Sequence, residues 1–312
     1  MRNAFFGTML ALAEHDERVM LVVGDLGFGV VEPFASRFPA RFVNVGVAEQ
    51  NMTGIAAGLA LSGKIVFTYS IANFASLRCL EQIRNDVCYH NANVKVVAVG
   101  GGLAYGALGS THHATEDLAI MRTLPRMVVV APGDPVEAEL LTRAIAREAG
   151  PCYMRLGRAG ERVVHPRHTP LQVGKAIVVR DGSDLTLIST GALLWTAVQV
   201  AEQLARDLHV ESRVLSMHTV KPVDGDAILA AARDTRAVVT LEEHSLIGGL
   251  GSAVAEVLAD AGELTTPLRR LGLPPDFSEH VGTQEYQLAA YGLSHEGIIK
   301  SLKPALDLLG RW

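Results

Sequence analysis

Four short runs of branched apolar residues alternate with stretches of helical periodicity through the first half of this chain. MLVVGDLG (20–27), KIVFTYS (64–70), NVKVVAVGGG (93–102) and RMVVVAPGD (126–134) have the length and composition of strands, and three of them close on glycine or proline. Between them, AEQNMTGIAAGLALS, SLRCLEQIRNDVCYH and DPVEAELLTRAIARE repeat their apolar residues at the 3.6-residue period of helices. Strands without a polar alternation have no face to give to water. They belong in a parallel sheet covered by helices on both sides.

The run GRAGERVVHPRHTPLQVG (157–174) interrupts this pattern with basic residues, proline and glycine, and a domain boundary is expected there. The alternation then resumes with AIVVRDG, DLTLISTG, a helix from Leu193 to about 208, SRVLSMHTV, a helix after Pro222, RAVVTLEEH, and the glycine turn and helix GGLGSAVAEVLADAG. The chain therefore reads as α/β with two domains, 1–165 and 166–312, each a mostly parallel sheet flanked by helices. The length of 312 residues suits that division, at roughly 150 residues per domain.

Hydrophobic residues make up 49% and charged residues 20%, so both domains can bury a core. A net charge of -5 with interspersed signs gives no footprint for nucleic acid or an anionic membrane surface. No uninterrupted apolar run reaches the roughly 18 to 20 residues of a membrane span. Cys79, Cys88 and Cys152 have no metal-ligand spacing and suggest a reducing compartment. The opening Met1-Arg2-Asn3 leads into a mixed helix rather than an apolar leader, and a cytoplasmic location is expected.

Three local features invite a functional reading. The glycine clusters GGGLAYG (100–106) and IGGLGSA (247–253) miss the dinucleotide-binding spacing and lack the later acidic residue, so tight turns and close helix packing explain them better. THHATEDLAIMRTLP (111–125) places His112 and His113 before a helix that opens with Glu116 and Asp117, with Thr111 or Thr115 as a candidate cap. These histidines follow a glycine-rich loop at the carboxyl end of a strand, where open α/β sheets bind ligands. A structural role remains equally open. Glu49 begins a helix so small-residued and apolar that its first turn should be buried. It is either an acid favoured by the helix N-terminus or a carboxyl meant to share a proton with a ligand nitrogen.

Taken together, VGVAEQNMTGIAAGLA, FTYSIANFASLRCLEQIRND and GSTHHATEDLAIMRTLPRMVVVAPGD resemble the pyrimidine-binding domain of transketolases and are also similar to 1-deoxyxylulose-5-phosphate synthase. The stretch 174–309, with TLEEHSLIGGLGSAVAE and YGLSHEGI, resembles the transketolase C-terminal domain. The diphosphate-binding N-terminal domain of a whole transketolase, with its GDG-type motif and metal, has no counterpart in this sequence. The resemblance therefore implies the C-terminal subunit of a split transketolase, with thiamine diphosphate as cofactor and Mg2+ or Ca2+ held by an N-terminal, diphosphate-binding partner. It also implies a homodimer core within a heterotetramer.

In that family the residue matching Glu49 hydrogen-bonds N1′ of the aminopyrimidine, favouring the imino tautomer that deprotonates the thiazolium carbon. The resemblance assigns Phe74 to stacking on the pyrimidine and Asp25 and Leu26 to further cofactor contacts. His112 is assigned to the oxygen substituents of the donor, and Arg155 and Arg2 to a substrate phosphate, which suits the forked donors of a guanidinium. Two departures stand out. Leu108 replaces an aspartate that recognises a substrate hydroxyl, and Gly100-Gly101-Gly102 replaces a histidine found in some members. Ordinary pentose phosphates are therefore not the expected substrates. The expected reaction is transfer of a two-carbon ketol or related acyl unit to an aldehyde. The rivals are the β-subunit of a 2-oxoacid decarboxylase or dehydrogenase, which shares the cofactor, and a non-catalytic scaffold of the same fold.

Overall fold

In the computed structural model, which describes residues 1–262 and 265–308, the apolar runs form two sheets. The last four residues of the expected second domain lie outside the described residues. The first half holds β1 (Val19–Val23), β2 (Phe42–Asn44), β3 (Ile65–Ile71), β4 (Val94–Val99), β5 (Val128–Val130) and β6 (Cys152–Leu156). The second half holds β7 (Ile177–Arg180), β8 (Leu185–Ser189), β9 (Ser212–Ser216), β10 (Thr219–Lys221), β11 (Val238–Ser245) and β12 (Leu268–Leu273).

Every residue of β1, β3, β4 and β6 is buried, as a sheet covered on both faces requires. Alternation along β3 divides its side chains between two cores. Phe67 and Tyr69 join Phe5, Met9, Leu141 and Ile145 under the helices Arg2–His15 and Pro135–Arg147. Val66 faces Met52, Ala56 and Ala60 of the helix Glu49–Leu61. Ser70 lies on that second face, which places it beneath Glu49.

The first sheet runs β10-β5-β6-β4-β3-β1-β2 and is parallel except for β10. The second runs β12-β11-β8-β9-β7 and is parallel except for β7. Two mostly parallel α/β layers flanked by helices are thus what the sequence pattern specifies. One strand changes sides. SRVLSMHTV reads as a single strand but divides into β9 and β10, and β10 pairs antiparallel with β5 in the other sheet. Lys221 secures the crossing by donating to the carbonyls of Arg122 (2.9 Å) and Leu124 (2.5 Å).

SLRCLEQIRNDVCYH is not one helix. A short helix, Ala72–Ser76, ends on its first residue, and Leu80–Gln82 then gives way to wider, i→i+5 turns over Ile83–Tyr89. The helix after the paired histidines is Asp117–Thr123, and neither Thr111 nor Thr115 caps it. The Thr115 hydroxyl instead donates to Glu116 at 2.9 Å. The glycine clusters serve close approach. A side chain at Gly249 would collide with Glu242, whose carboxylate accepts the backbone N–H groups of Leu250 (2.6 Å) and Gly251 (2.7 Å) at the start of the helix Leu250–Asp260. That carboxyl is pushed up to about 7 by burial, against the lowering effect of those two N–H donors.

Candidate active site

Parallel strands β1, β3 and β4 bring three loops to one edge of the first sheet, the edge at which such sheets bind ligands. Glu49 opens its helix there and is 1% exposed. Its carboxylate is oriented from the sheet, because Ser70 Oγ donates to Oε1 at 3.0 Å. The second oxygen, Oε2, accepts from Arg78 Nη1 at 2.7 Å. A buried acid requires partners of this kind.

Phe74 follows β3 directly, on the helix Ala72–Ser76, and is half-buried. Arg78 lies four residues on and places its guanidinium 4.5 Å above the Phe74 ring. His112 meets the same ring edge-on, with centroids 5.1 Å apart, and its Nδ1 lies 3.0 Å from Thr111 Oγ1. Asn73 holds the histidine loop in place, donating to the carbonyls of Thr111 (3.1 Å) and His113 (2.9 Å). Glu49, Phe74 and His112 are therefore brought to one site, although 63 residues separate the first from the last.

Asp25 and Leu26 sit on the loop after β1. Gly24 packs against the Glu49 side chain, and Asp25 adopts φ +53°. Asn44 fixes that turn by accepting from Asp25 N (3.1 Å) and donating to Asp25 Oδ1 (3.0 Å). Leu26 packs against the core under the first helix. Leu108 ends a short turn and is 54% exposed. Gly100 has φ +80°, and a side chain there would collide with the ring of Tyr105, which fills the space.

The two arginines expected to grip phosphate are placed differently. Arg2 begins the first helix on the opposite face of the sheet from Glu49, and its Nε is buried without a hydrogen-bond partner among the described residues. Arg155 is 6% exposed, donating from Nη2 to the carbonyls of Ala114 (2.7 Å) and Glu243 (2.9 Å) while Nε faces Asp117 at 3.1 Å. Tyr153 donates to the same Asp117 oxygen at 2.6 Å, and its hydroxyl is held far above its ordinary range by burial, with Asp117 adding to the effect. Arg155 joins the two domains through these contacts.

Ser70, Asn73, Asn44 and Arg78 were not singled out from the sequence. None of them carried a signal of its role in the local sequence. Among the described residues, no group of three His, Cys, Asp or Glu side chains could hold a metal ion, and no helix is long and apolar enough to cross a membrane.

Residues 1–161 match the transketolase pyrimidine-binding domain, and 174–298 match the transketolase C-terminal domain. The chain belongs to the transketolase family. It is 41% identical over 302 residues to an apulose-4-phosphate transketolase subunit of Phocaeicola vulgatus, covering 96% of this chain and 95% of that protein. It is 39% identical over 302 residues to the 6-deoxy-6-sulfo-D-fructose transketolase subunit SqwH of Clostridium sp., covering 96% and 92%. A solved structure described as a split gene transketolase, inactive beta4 tetramer, superposes with a TM-score of 0.88 at 37% identity over 98% of both chains. This transketolase chain is a subunit of a split enzyme, a transferase of the thiamine-diphosphate-dependent class.

Proposed function

We propose that this chain supplies the pyrimidine side of a two-subunit transketolase active site. An N-terminal-type partner subunit completes the site, holding the diphosphate and its Mg2+ or Ca2+. The observation that carries this reading is that one side chain, Arg78, reaches both the buried Glu49 carboxyl (2.7 Å) and the face of the half-buried Phe74 ring (4.5 Å), which places the two at one site. An aminopyrimidine needs both, a flat apolar face and a carboxyl aimed at a ring nitrogen. The residues fit such a ring once Arg78 moves aside.

Thiamine diphosphate, when bound, supplies the carbanion chemistry that carries the two-carbon unit. The chain's own contribution is orientation and proton control. Ser70 fixes one Glu49 oxygen, leaving the other to meet the pyrimidine nitrogen. Gly24 closes the space behind the carboxyl. Asp25 and Leu26 line the approach from β1, and His112 stands at the edge of Phe74 to meet substrate oxygens. Arg2 is a candidate for a substrate phosphate.

Phe28 and Val47 are each 72% exposed, and Leu77 and Leu108 are also exposed, on segments that adjoin the site. Apolar side chains left in water around a catalytic edge favour cover by another chain. A homodimer core joined by two partner subunits in the cytoplasm accounts for that surface. The exposed Leu108 and the filled space at Gly100 favour substrates other than the common pentose phosphates. Two relatives are named for apulose 4-phosphate and 6-deoxy-6-sulfo-D-fructose, which supports the same reading.

Titration calorimetry tests the assignment. The chain alone is expected to bind thiamine diphosphate weakly and without metal dependence. The mixture with a diphosphate-binding subunit should bind tightly and only with a divalent cation. Tight, metal-dependent binding by the isolated chain would overturn it.

A further inference from the structure

Arg78 makes two contacts at once, and both are with groups that an aminopyrimidine needs. Its Nη1 donates to Glu49 Oε2 at 2.7 Å, and its guanidinium carbon lies 4.5 Å above the Phe74 ring. Ser70 already holds the other carboxylate oxygen, so Oε2 is the acceptor left for a ligand. We propose that Arg78 is a built-in stopper, a guanidinium seated between Glu49 and Phe74 in the cofactor-free chain that must swing out before the pyrimidine ring can enter. The proposal rests on the assignment of Glu49 and Phe74 to the pyrimidine.

The chemistry of the two occupants is alike. A guanidinium is planar, stacks on aromatic faces and offers N–H donors in its plane to a carboxylate. An aminopyrimidine is also planar, stacks on the same ring and meets the same oxygen. A group already over the ring and on Oε2 excludes it sterically. Arginine also offers only N–H donors, so the oxygen paired to it is already taken as an acceptor.

Burial explains why such a device is needed. The Glu49 side chain is 2% exposed, and an ionised carboxylate without a partner there would be costly. Arg78 answers that cost while the cofactor is absent. Its own side chain is 43% exposed, and it sits in the turn between the helices Ala72–Ser76 and Leu80–Gln82, so rotation into solvent leaves the fold intact. Cofactor binding is thereby made to depend on interactions beyond the pyrimidine itself. A free pyrimidine is rejected, whereas a cofactor anchored through its diphosphate on a second subunit can displace the arginine.

The test uses the full chain and the pyrimidine half of the cofactor, 4-amino-5-hydroxymethyl-2-methylpyrimidine, as probe. Calorimetry compares wild type, Arg78→Met, Arg78→Lys and the double variant Arg78→Met/Glu49→Gln. If the open arrangement is a tenth of the population or less, Arg78→Met should tighten probe binding by about tenfold or more. Arg78→Lys, which keeps the charge without the flat fork, should gain less. The gain should vanish when Glu49→Gln is added. Melting curves provide a readout independent of any ligand. Arg78→Met and Glu49→Gln should each lower the melting temperature, and the double variant should fall no further than the worse single one. Binding by Arg78→Met that is undetectable, equal to wild type or weaker overturns the stopper. So does additive loss in the melts. A gain that survives Glu49→Gln places the probe elsewhere. That result overturns the pyrimidine assignment, and the stopper with it, and coupled melts would then show that the assignment failed rather than the ion pair.

Discussion

Ser70 and Glu49 are 21 residues apart and joined by a 3.0 Å hydrogen bond, so the buried carboxyl takes its direction from the sheet and not from the helix it begins. Removing the donor and removing the acid should therefore have different consequences. In the reconstituted complex, Glu49→Gln should lower turnover by about two orders of magnitude or more, the scale of a lost acid–base group. Ser70→Ala keeps the carboxyl and loses one hydrogen bond to a charged acceptor, an effect of about 1.5 to 3 kcal/mol. It should loosen cofactor binding by about ten- to a hundredfold with turnover largely kept. Steady-state turnover and cofactor titration of both variants check the ranking. Equal losses would mean that Ser70 acts on the chemistry directly.

Arg155 should reveal itself as a structural residue. It is buried between Asp117 and two backbone carbonyls from different domains. Removing one member of a buried ion pair leaves the other uncompensated, at a cost of about 3 to 5 kcal/mol. Arg155→Met is expected to lower the urea midpoint by that equivalent. A variant with an unchanged midpoint and a raised KM for phosphorylated substrates would return Arg155 to the substrate.

The same contrast shows what the sequence could and could not reveal. Strands β1, β3 and β4 were legible because burial on both faces leaves an unbroken apolar signature. Strand β6 was not, because Arg155, its fourth residue, interrupts the apolar run to serve a contact between domains. Strand β2 is only three residues long at a half-buried edge. Strand β10 carries no local sign that it leaves one sheet for another, since its apolar pattern continues that of β9. In the site, Glu49, Phe74 and His112 stand in recognisable motifs. The supporting Ser70 and Asn44 do not, because their roles depend on strand register and a turn 19 residues away.

Acid should weaken the fold through His218. Burial, with the nearby His165 adding to it, lowers its pKa from 6.5 to about 4, while the backbone near Lys175 and the Asp224 carboxylate act in the opposite sense. The folded chain then binds fewer protons than the unfolded chain between about pH 6.5 and pH 4. Stability from this residue is complete above that window and is lost as pH falls through it, by about 2 kcal/mol between pH 7 and pH 5. Glu137 and Glu242, raised by burial to about 6 and about 7, oppose it by taking up protons in the folded state. A variant comparison separates the two effects. His218→Gln should be less stable than wild type at pH 7, and the gap should narrow by about that amount at pH 5, read from urea midpoints. A gap that stays constant with pH would show that His218 does not titrate between the two states.

Leu108 should set the substrate. It stands on the turn Gly106–Leu108, four residues before His112, and its side chain is exposed rather than packed into a core. An apolar group there cannot pair with a substrate hydroxyl, and covering that hydroxyl unpaired costs about 1 to 3 kcal/mol, or roughly ten- to a hundredfold in discrimination. The space at Gly100 cannot restore a polar contact, because the Tyr105 ring occupies it. Xylulose 5-phosphate and ribose 5-phosphate should therefore be poor substrates of the reconstituted complex, and a less hydroxylated or modified sugar should be better. Leu108→Asp should move the preference toward ordinary sugar phosphates by up to that factor. Since the side chain is in water, the change should leave the urea midpoint nearly unaltered, which separates specificity from damage to the fold. Comparing kcat/KM for both proteins on both substrate types decides the matter. Full transketolase efficiency of the wild type on pentose phosphates would show that the hydroxyl is recognised by another group.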